Sequence, residues 1–162
     1  MFGVVEQYSY FSLLLILFAE EGGIPLPIPG DIFIASVAAL PNSNYFLVVA
    51  TVVLATLSGS TILFILSRTL GNKLFDKFGK YIKLTPKRIK KAQRWFKKYG
   101  GFAIVIGRLI PGLRTVTPFV AGLFEVSYKT FWLYTLIAAF IWANIYFVIG
   151  RSFGEVVQNL IR

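Results

Sequence analysis

Hydrophobic positions in this chain fall into long runs rather than into the one-in-three or one-in-two spacing of a half-buried helix or strand. Phe46 to Leu66 supplies 21 residues without a charge, enough for a helix to cross a bilayer at about 20 residues per span. Phe131 to Ile149 reads as a second span, with Trp132, Tyr134 and Trp142 as interface anchors. Residues 4–18 are apolar but short for an upright crossing, and predict a tilted or interfacial N-terminal helix. Two further apolar stretches are interrupted. Residues 20–40 contain Pro25, Pro27, Pro29 and Gly30, and residues 100–123 contain Pro111, Gly112 and Pro118. A continuous helix does not tolerate such clusters of breakers, so each stretch is expected to form a re-entrant hairpin.

Between these halves, residues 68–99 carry 12 of the 17 basic residues, opposed only by Asp76. Leu74, Phe75, Phe78, Tyr81, Ile82, Ile89, Trp95 and Phe96 recur there at roughly helical spacing, which predicts amphipathic helices on the membrane surface, with Thr85-Pro86 starting the second. Flanked by apolar segments, so basic a block reads as a cytoplasmic loop beside anionic lipid head groups rather than as a nucleic-acid surface. The predicted architecture is an all-α integral membrane protein of one domain: an inverted repeat of re-entrant hairpin plus transmembrane helix, with cytoplasmic basic amphipathic helices between the halves.

Composition agrees with that pattern. Of 162 residues, 56% are hydrophobic and 15% charged, and the mean hydropathy is +0.70, more apolar surface than a soluble domain of this size can bury. The absence of Cys and His removes most metal sites and thiol or imidazole catalysis; no cofactor and no metal site is expected. No basic residue precedes the first apolar run and no small-residue cleavage site follows it, so a removable signal peptide is not expected.

Charge inside the broken segments is the candidate chemistry. Glu20, Glu21 and Asp31 flank the first break; Arg108 and Arg114 flank the second. Ionisable groups at membrane depth are costly unless paired or wetted, and mark function by default. The bland alternative is an ion-pair lock between the halves, or charges at the hairpin mouths. The functional alternative is an anion site: guanidinium forks suit a phosphate, broken helices add backbone amides, and carboxylates in a partly dry site can carry protons. Arg108 and Arg114 are thus candidate substrate ligands, and Glu20, Glu21 and Asp31 candidate proton-coupling groups. Ser58, Gly59 and Ser60 read as close helix packing, Asn144 as a hydrogen bond to a neighbouring helix, and Glu125 and Lys129 as interfacial.

The run Gly107-Arg108-Leu109-Ile110-Pro111-Gly112-Leu113-Arg114-Thr115, followed by Ala121-Gly122-Leu123, Phe131 and Trp142, resembles the signature of the DedA family of bacterial membrane proteins, also called SNARE-associated or VTT-domain proteins. Phe18-Ala19-Glu20 with Pro29-Gly30-Asp31 is similar to that family's first acidic motif. The resemblance implies two facing re-entrant hairpins in the bacterial inner (cytoplasmic) membrane and movement of lipids between leaflets. Undecaprenyl phosphate, coupled to a proton or sodium gradient, is among the cargoes it implies. It makes Glu20 and Asp31 coupling carboxylates and Arg108 and Arg114 phosphate ligands. Three features depart from the pattern. Glu21 stands beside Glu20, Gly59-Ser60 stands where many members have an acidic residue after glycine, and the chain ends about one helix earlier than typical members.

The expected partners are membrane phospholipids, anionic head groups, a polyprenyl phosphate and a second copy of the chain in a homo-oligomer, with no nucleic acid. No enzyme is expected: an aspartyl dyad would need Asp31 and Asp76, which lie on distant segments, and Pro29-Gly30-Asp31 lacks the Gly-x-Gly-Asp pattern. A small ion channel or an envelope scaffold is the competing class.

Overall fold

In a computed structural model, residues 2–24, 26–71, 85–110 and 113–161 are described, and all secondary structure among them is α-helical. The helices are α1 (Phe2–Glu21), α2 (Gly30–Ala38), α3 (Tyr45–Leu70), α4 (Pro86–Tyr99), α5 (Phe102–Leu109), α6 (Val116–Leu123) and α7 (Tyr128–Ile161). Leu74, Phe75, Asp76, Phe78, Tyr81 and Ile82 lie outside the described residues, as do Pro25, Pro111 and Gly112.

Local signals explain the boundaries. Helix α1 runs past the expected 4–18 segment and takes in Glu20 and Glu21. Glycine ends it: Gly23 adopts φ 92°, and the Gly23 and Ile24 amides donate to the carbonyls of Glu20 and Ala19, the paired bonds of a Schellman cap. Helix α3 starts at Asn44, whose Oδ1 accepts from the Phe46 and Leu47 amides at 2.9 and 3.2 Å, and stops at Gly71 with φ 49°. Helix α4 opens on Pro86, where a missing amide costs nothing. Pro118 is the third residue of α6 rather than part of a break, because proline is tolerated in a helix's first turn.

Helices α3 and α7 have the length and apolarity to cross a membrane, α7 over Tyr128–Val156. Only 33% of the most apolar stretch of α7 is buried against protein, and Trp132, Leu133, Leu136, Ile137 and Phe140 stand exposed on it. An apolar face of that extent needs a lipid solvent.

Packing exchanges partners between the halves. Helix α3 lies along α1 and α6, and α7 lies along α5 and α2, with α3 also against α7. Glycines permit the closest approaches: a Cβ on Gly150 of α7 would strike the Ala35 backbone of α2, one on Gly154 the backbone of Ala39 just after α2, and one on Gly122 of α6 would strike Ser67 and Phe64 of α3. Two apolar regions result. Leu13, Leu17, Ile34, Val48 and Val52 lead one; Leu63, Phe64, Ile104, Phe119 and Phe131 lead the other, where the Phe64 and Phe131 rings stack at 4.2 Å. The charged residues lie between them.

Candidate functional site

Glu20 and Glu21 occupy the last turn of α1, at the negative end of the helix dipole, where a carboxylate is disfavoured without a cation. Asp31 sits in the first turn of α2, where the dipole favours it, and Arg108 in the last turn of α5, where the dipole again favours the charge. Arg114 lies in the turn between α5 and α6. Although the first three come from one half of the chain and the arginines from the other, the fold brings all five together.

Arg108 Nη2 donates to Glu21 Oε2 at 2.6 Å. Arg114 reaches three carboxylates: Nη2 donates to Glu20 Oε1 at 2.6 Å, Nη1 donates to Asp31 Oδ1 at 2.8 Å, and Nε lies 3.1 Å from Glu21 Oε1. The last contact supplies charge without a well-aligned hydrogen bond, and Glu21 Oε1 is a buried oxygen with no hydrogen-bond partner. Arg108 Nη1 is likewise buried and unpartnered. Side-chain exposure rises from 0% at Glu21 and 3% at Arg108 to 10% at Arg114, 15% at Glu20 and 24% at Asp31, so the cluster opens on the Asp31 side. Three carboxylates facing two guanidiniums leave one formal negative charge that a single proton would cancel.

The breaks serve this geometry. The Gly30 amide donates to Glu20 Oε2 at 2.9 Å, and a Cβ on Gly30 would strike that oxygen and Leu17. Gly30, expected in the break, is therefore the first residue of α2, and its lack of a side chain admits the carboxylate. Pro29 is the extended residue preceding it, and Pro27 is exposed in the connecting segment. Gly59, mid-way along α3, lets α1 end against it: a Cβ there would lie 2.9 Å from Glu21 Cβ and 2.5 Å from the Phe18 carbonyl.

Trp142, expected at the interface, is instead 6% exposed within the protein. Its Nε1 donates to Asp31 Oδ1 at 2.8 Å, and the Arg114 guanidinium carbon sits 4.0 Å from its ring centroid. Periodicity carried the correction: Thr135, Ala138, Ala139, Trp142 and Ala143 form one buried stripe of α7, whereas Trp132 faces outward. Trp142 also falls at the centre of the Tyr128–Val156 apolar stretch, as Gly59 does in α3, so the charges lie mid-height between the two long helices.

Other polar residues hold helices together. Tyr45 Oη donates to Asn144 Oδ1 at 2.7 Å, joining α3 to α7. Arg68 donates to the Val126 carbonyl at 2.8 Å and covers the Tyr128 ring at 4.9 Å. Ser58 and Ser60 hydrogen-bond carbonyls of their own helix.

A family model described as the VTT domain matches residues 28–152, more than half of the chain. This chain belongs to the VTT-domain family. The matched span of this VTT-domain protein contains Asp31, Arg108, Arg114 and Trp142 and begins beyond Glu20 and Glu21. Among similar proteins, the uncharacterized membrane protein YbfM of Bacillus subtilis (strain 168) is 32% identical over 93% of this chain and 94% of its own length. Protein DedA of Escherichia coli (strain K12) is 33% identical over 94% of this chain and 74% of its length. Undecaprenyl phosphate transporter A of Staphylococcus aureus (strain NCTC 8325 / PS 47) is 30% identical over 96% of this chain and 81% of its length. No solved structure matches. With these relatives and the two apolar helices, the chain is a membrane protein.

Proposed function

We propose that this VTT-domain protein carries a phosphate-bearing lipid of the polyprenyl phosphate class between the leaflets of the bacterial cytoplasmic membrane, crossing that membrane several times. The observation that carries the reading is Arg114, a guanidinium level with the middle of the two long apolar helices and held by three carboxylates and an indole. A phosphate offers the same oxygen geometry as those carboxylates, and the guanidinium fork accepts either.

The mechanism follows from competition for the guanidinium. In the ion-paired arrangement Arg108 and Arg114 are occupied. Protonation of Glu20, Glu21 or Asp31 removes a competing anion and frees an arginine face for a phosphate entering past Asp31, the most exposed member. Release reverses the exchange: the proton leaves and the carboxylate retakes the arginine. A gradient of protons thereby drives, and a phosphate alone equilibrates, passage between leaflets. The exchanged packing of α3 on α6 and α7 on α2 supports reading the halves as an inverted repeat of hairpin and span, with the exchange at their common centre. The name of the S. aureus relative supports the cargo class.

Leaflet exchange of a fluorescent polyprenyl phosphate in proteoliposomes tests this, with and without a pH gradient. Parent protein accelerates exchange and responds to the gradient; Arg114→Ala abolishes acceleration while remaining inserted and helical. If Arg114→Ala moves the lipid as fast as the parent, the arginine is not a cargo ligand and the cluster is a structural lock. Gradient-independent ion current through the parent would favour a channel instead.

A further inference from the structure

Helix α4 carries seven cations and no acid, and five of them fall into two groups by what surrounds them. Lys91 and Lys98 lie over the Trp95 and Tyr99 rings at 5.2 and 5.1 Å. Lys90, Arg94 and Lys97 instead line one edge of a groove of about 860 Å³ between the second half of α4 and the corner joining α6 to α7. Among the described residues no carboxylate pairs with any of these three. Residues 90, 94 and 97 stand three and four apart, hence on one helix face. The groove also carries apolar lining from Phe96, Phe124 and Val126, and Phe96 packs against both clusters of the apolar region led by Leu63 and Phe64.

Depth is set by the ends of two neighbouring helices. Arg68, in the last turn of α3, binds the Val126 carbonyl, and α7 begins two residues later at Tyr128. The groove therefore lies where α3 ends and α7 starts, the level of lipid head groups rather than of hydrocarbon. A row of cations above an apolar lining at that depth complements one molecule's two ends: a phosphate and the first methylenes of an acyl chain.

We infer that the groove between α4 and the α6–α7 corner is a binding site for an anionic phospholipid of the surrounding leaflet, with its phosphate on Lys90, Arg94 and Lys97 and its chain against Phe96, Phe124 and Val126. The site is separate from the Arg114 cluster and stands whether or not the transport reading does. Nucleic acid or an acidic peptide would use the cations but leave the apolar lining unsatisfied.

Native mass spectrometry of the full chain in detergent, titrated with phosphatidylglycerol and with phosphatidylcholine, reads the selectivity. The parent retains phosphatidylglycerol at least tenfold more tightly. A direct hydrogen bond to a charged group contributes roughly tenfold in affinity, so the triple variant Lys90→Gln/Arg94→Gln/Lys97→Gln loses tenfold or more and its two lipids converge. Lys87→Gln/Lys91→Gln/Lys98→Gln, with the same charge change on the same helix, stays within about twofold of the parent. Equal losses in both triples would mean diffuse charge attraction and overturn the site, as would a parent without preference. Competition by glycerophosphoglycerol at concentrations matching the lipid would show that the apolar lining takes no part, and would overturn the lipid occupant. Helicity of both triples by circular dichroism keeps a folding defect from passing as lost binding.

Discussion

Replacing Arg108 by Met leaves Glu21, whose side chain is fully buried, with Arg114 Nε at 3.1 Å as its remaining cation. Removing one partner of a buried ion pair costs about 3–5 kcal/mol, because the surviving charge stays desolvated. The residual Arg114 contact puts the expected loss at the lower end, about 3 kcal/mol. Adding Glu21→Gln to Arg108→Met removes the stranded charge and returns the cluster to two carboxylates and one guanidinium, the parent's formal charge. The double variant should therefore recover about 2 kcal/mol, a coupling well above the additivity error of about 0.5 kcal/mol. At about 2–4 °C per kcal/mol for a chain of this size, the single variant melts roughly 6–12 °C below the parent, and the double regains more than half of that. Thermal unfolding in one detergent, followed by tryptophan fluorescence and circular dichroism, measures both. A single-variant loss under about 1 kcal/mol, or additive losses in the double, would show that Glu21 is not held by Arg108 in the folded protein.

Trp142→Phe keeps the ring under Arg114 but deletes the indole donor to Asp31; it should cost about 1–2 kcal/mol and slow lipid exchange, whereas Trp142→Ala should lose about 3–5 kcal/mol, both read by melting and proteoliposome exchange. Asp31→Asn retains an acceptor for Trp142 and removes the surplus negative charge, so folding should change by less than about 1 kcal/mol while the response of lipid exchange to a pH gradient falls; an unchanged response would remove Asp31 from the coupling. Gly30→Ala places a methyl group against Glu20 and Leu17 and should destabilise by about 1–3 kcal/mol, more than Gly71→Ala, whose added Cβ meets no neighbouring atom although φ 49° strains it; reversal of that order in melting experiments would refute the packing account of Gly30.

The long helices were legible because a bilayer's thickness translates directly into run length: the first apolar run became α3 with a few residues added at each end, and the second became α7, which continues past Ile149 through the more polar residues up to Ile161. The convergence of acidic and basic halves was legible in outline, since opposite charges in two apolar stretches have few other ways to be tolerated. Boundaries within the first broken segment were misread by weighting proline over glycine: the Schellman cap at Gly23, a backbone event, ends α1 after Glu21 and sets the carboxylates on a helix. Trp142 was misread because amphipathic aromatic rings favour interfaces in general, whereas the stripe of small buried residues around it, visible only at helical period, reserves that position for the interior. Close packing at Gly59 was legible, but not that the end of α1 is what it admits, nor that Gly30 admits the Glu20 carboxylate, since what each accommodates lies on another helix.

The charged cluster is a poor device for stability, and that bears on why it is there. Buried ion pairs replaced by apolar side chains of similar volume are often neutral or more stable by about 1–4 kcal/mol. Here Arg108 Nη1 is buried without a hydrogen-bond partner from the described residues, and Glu21 Oε1 is met by the Arg114 Nε contact at 3.1 Å without a well-aligned hydrogen bond. The two apolar regions on either side already join α1, α2, α3 and α7 at one end and α3, α5, α6 and α7 at the other, so adhesion between the halves does not require charge between them. On the proposed reading, what the cluster supplies that leucines would not is a set of cations already desolvated between the two long helices, with partners that a proton switches off. A guanidinium shared among three carboxylates, the outermost of them 24% exposed, is the arrangement that the proposed exchange of partners requires.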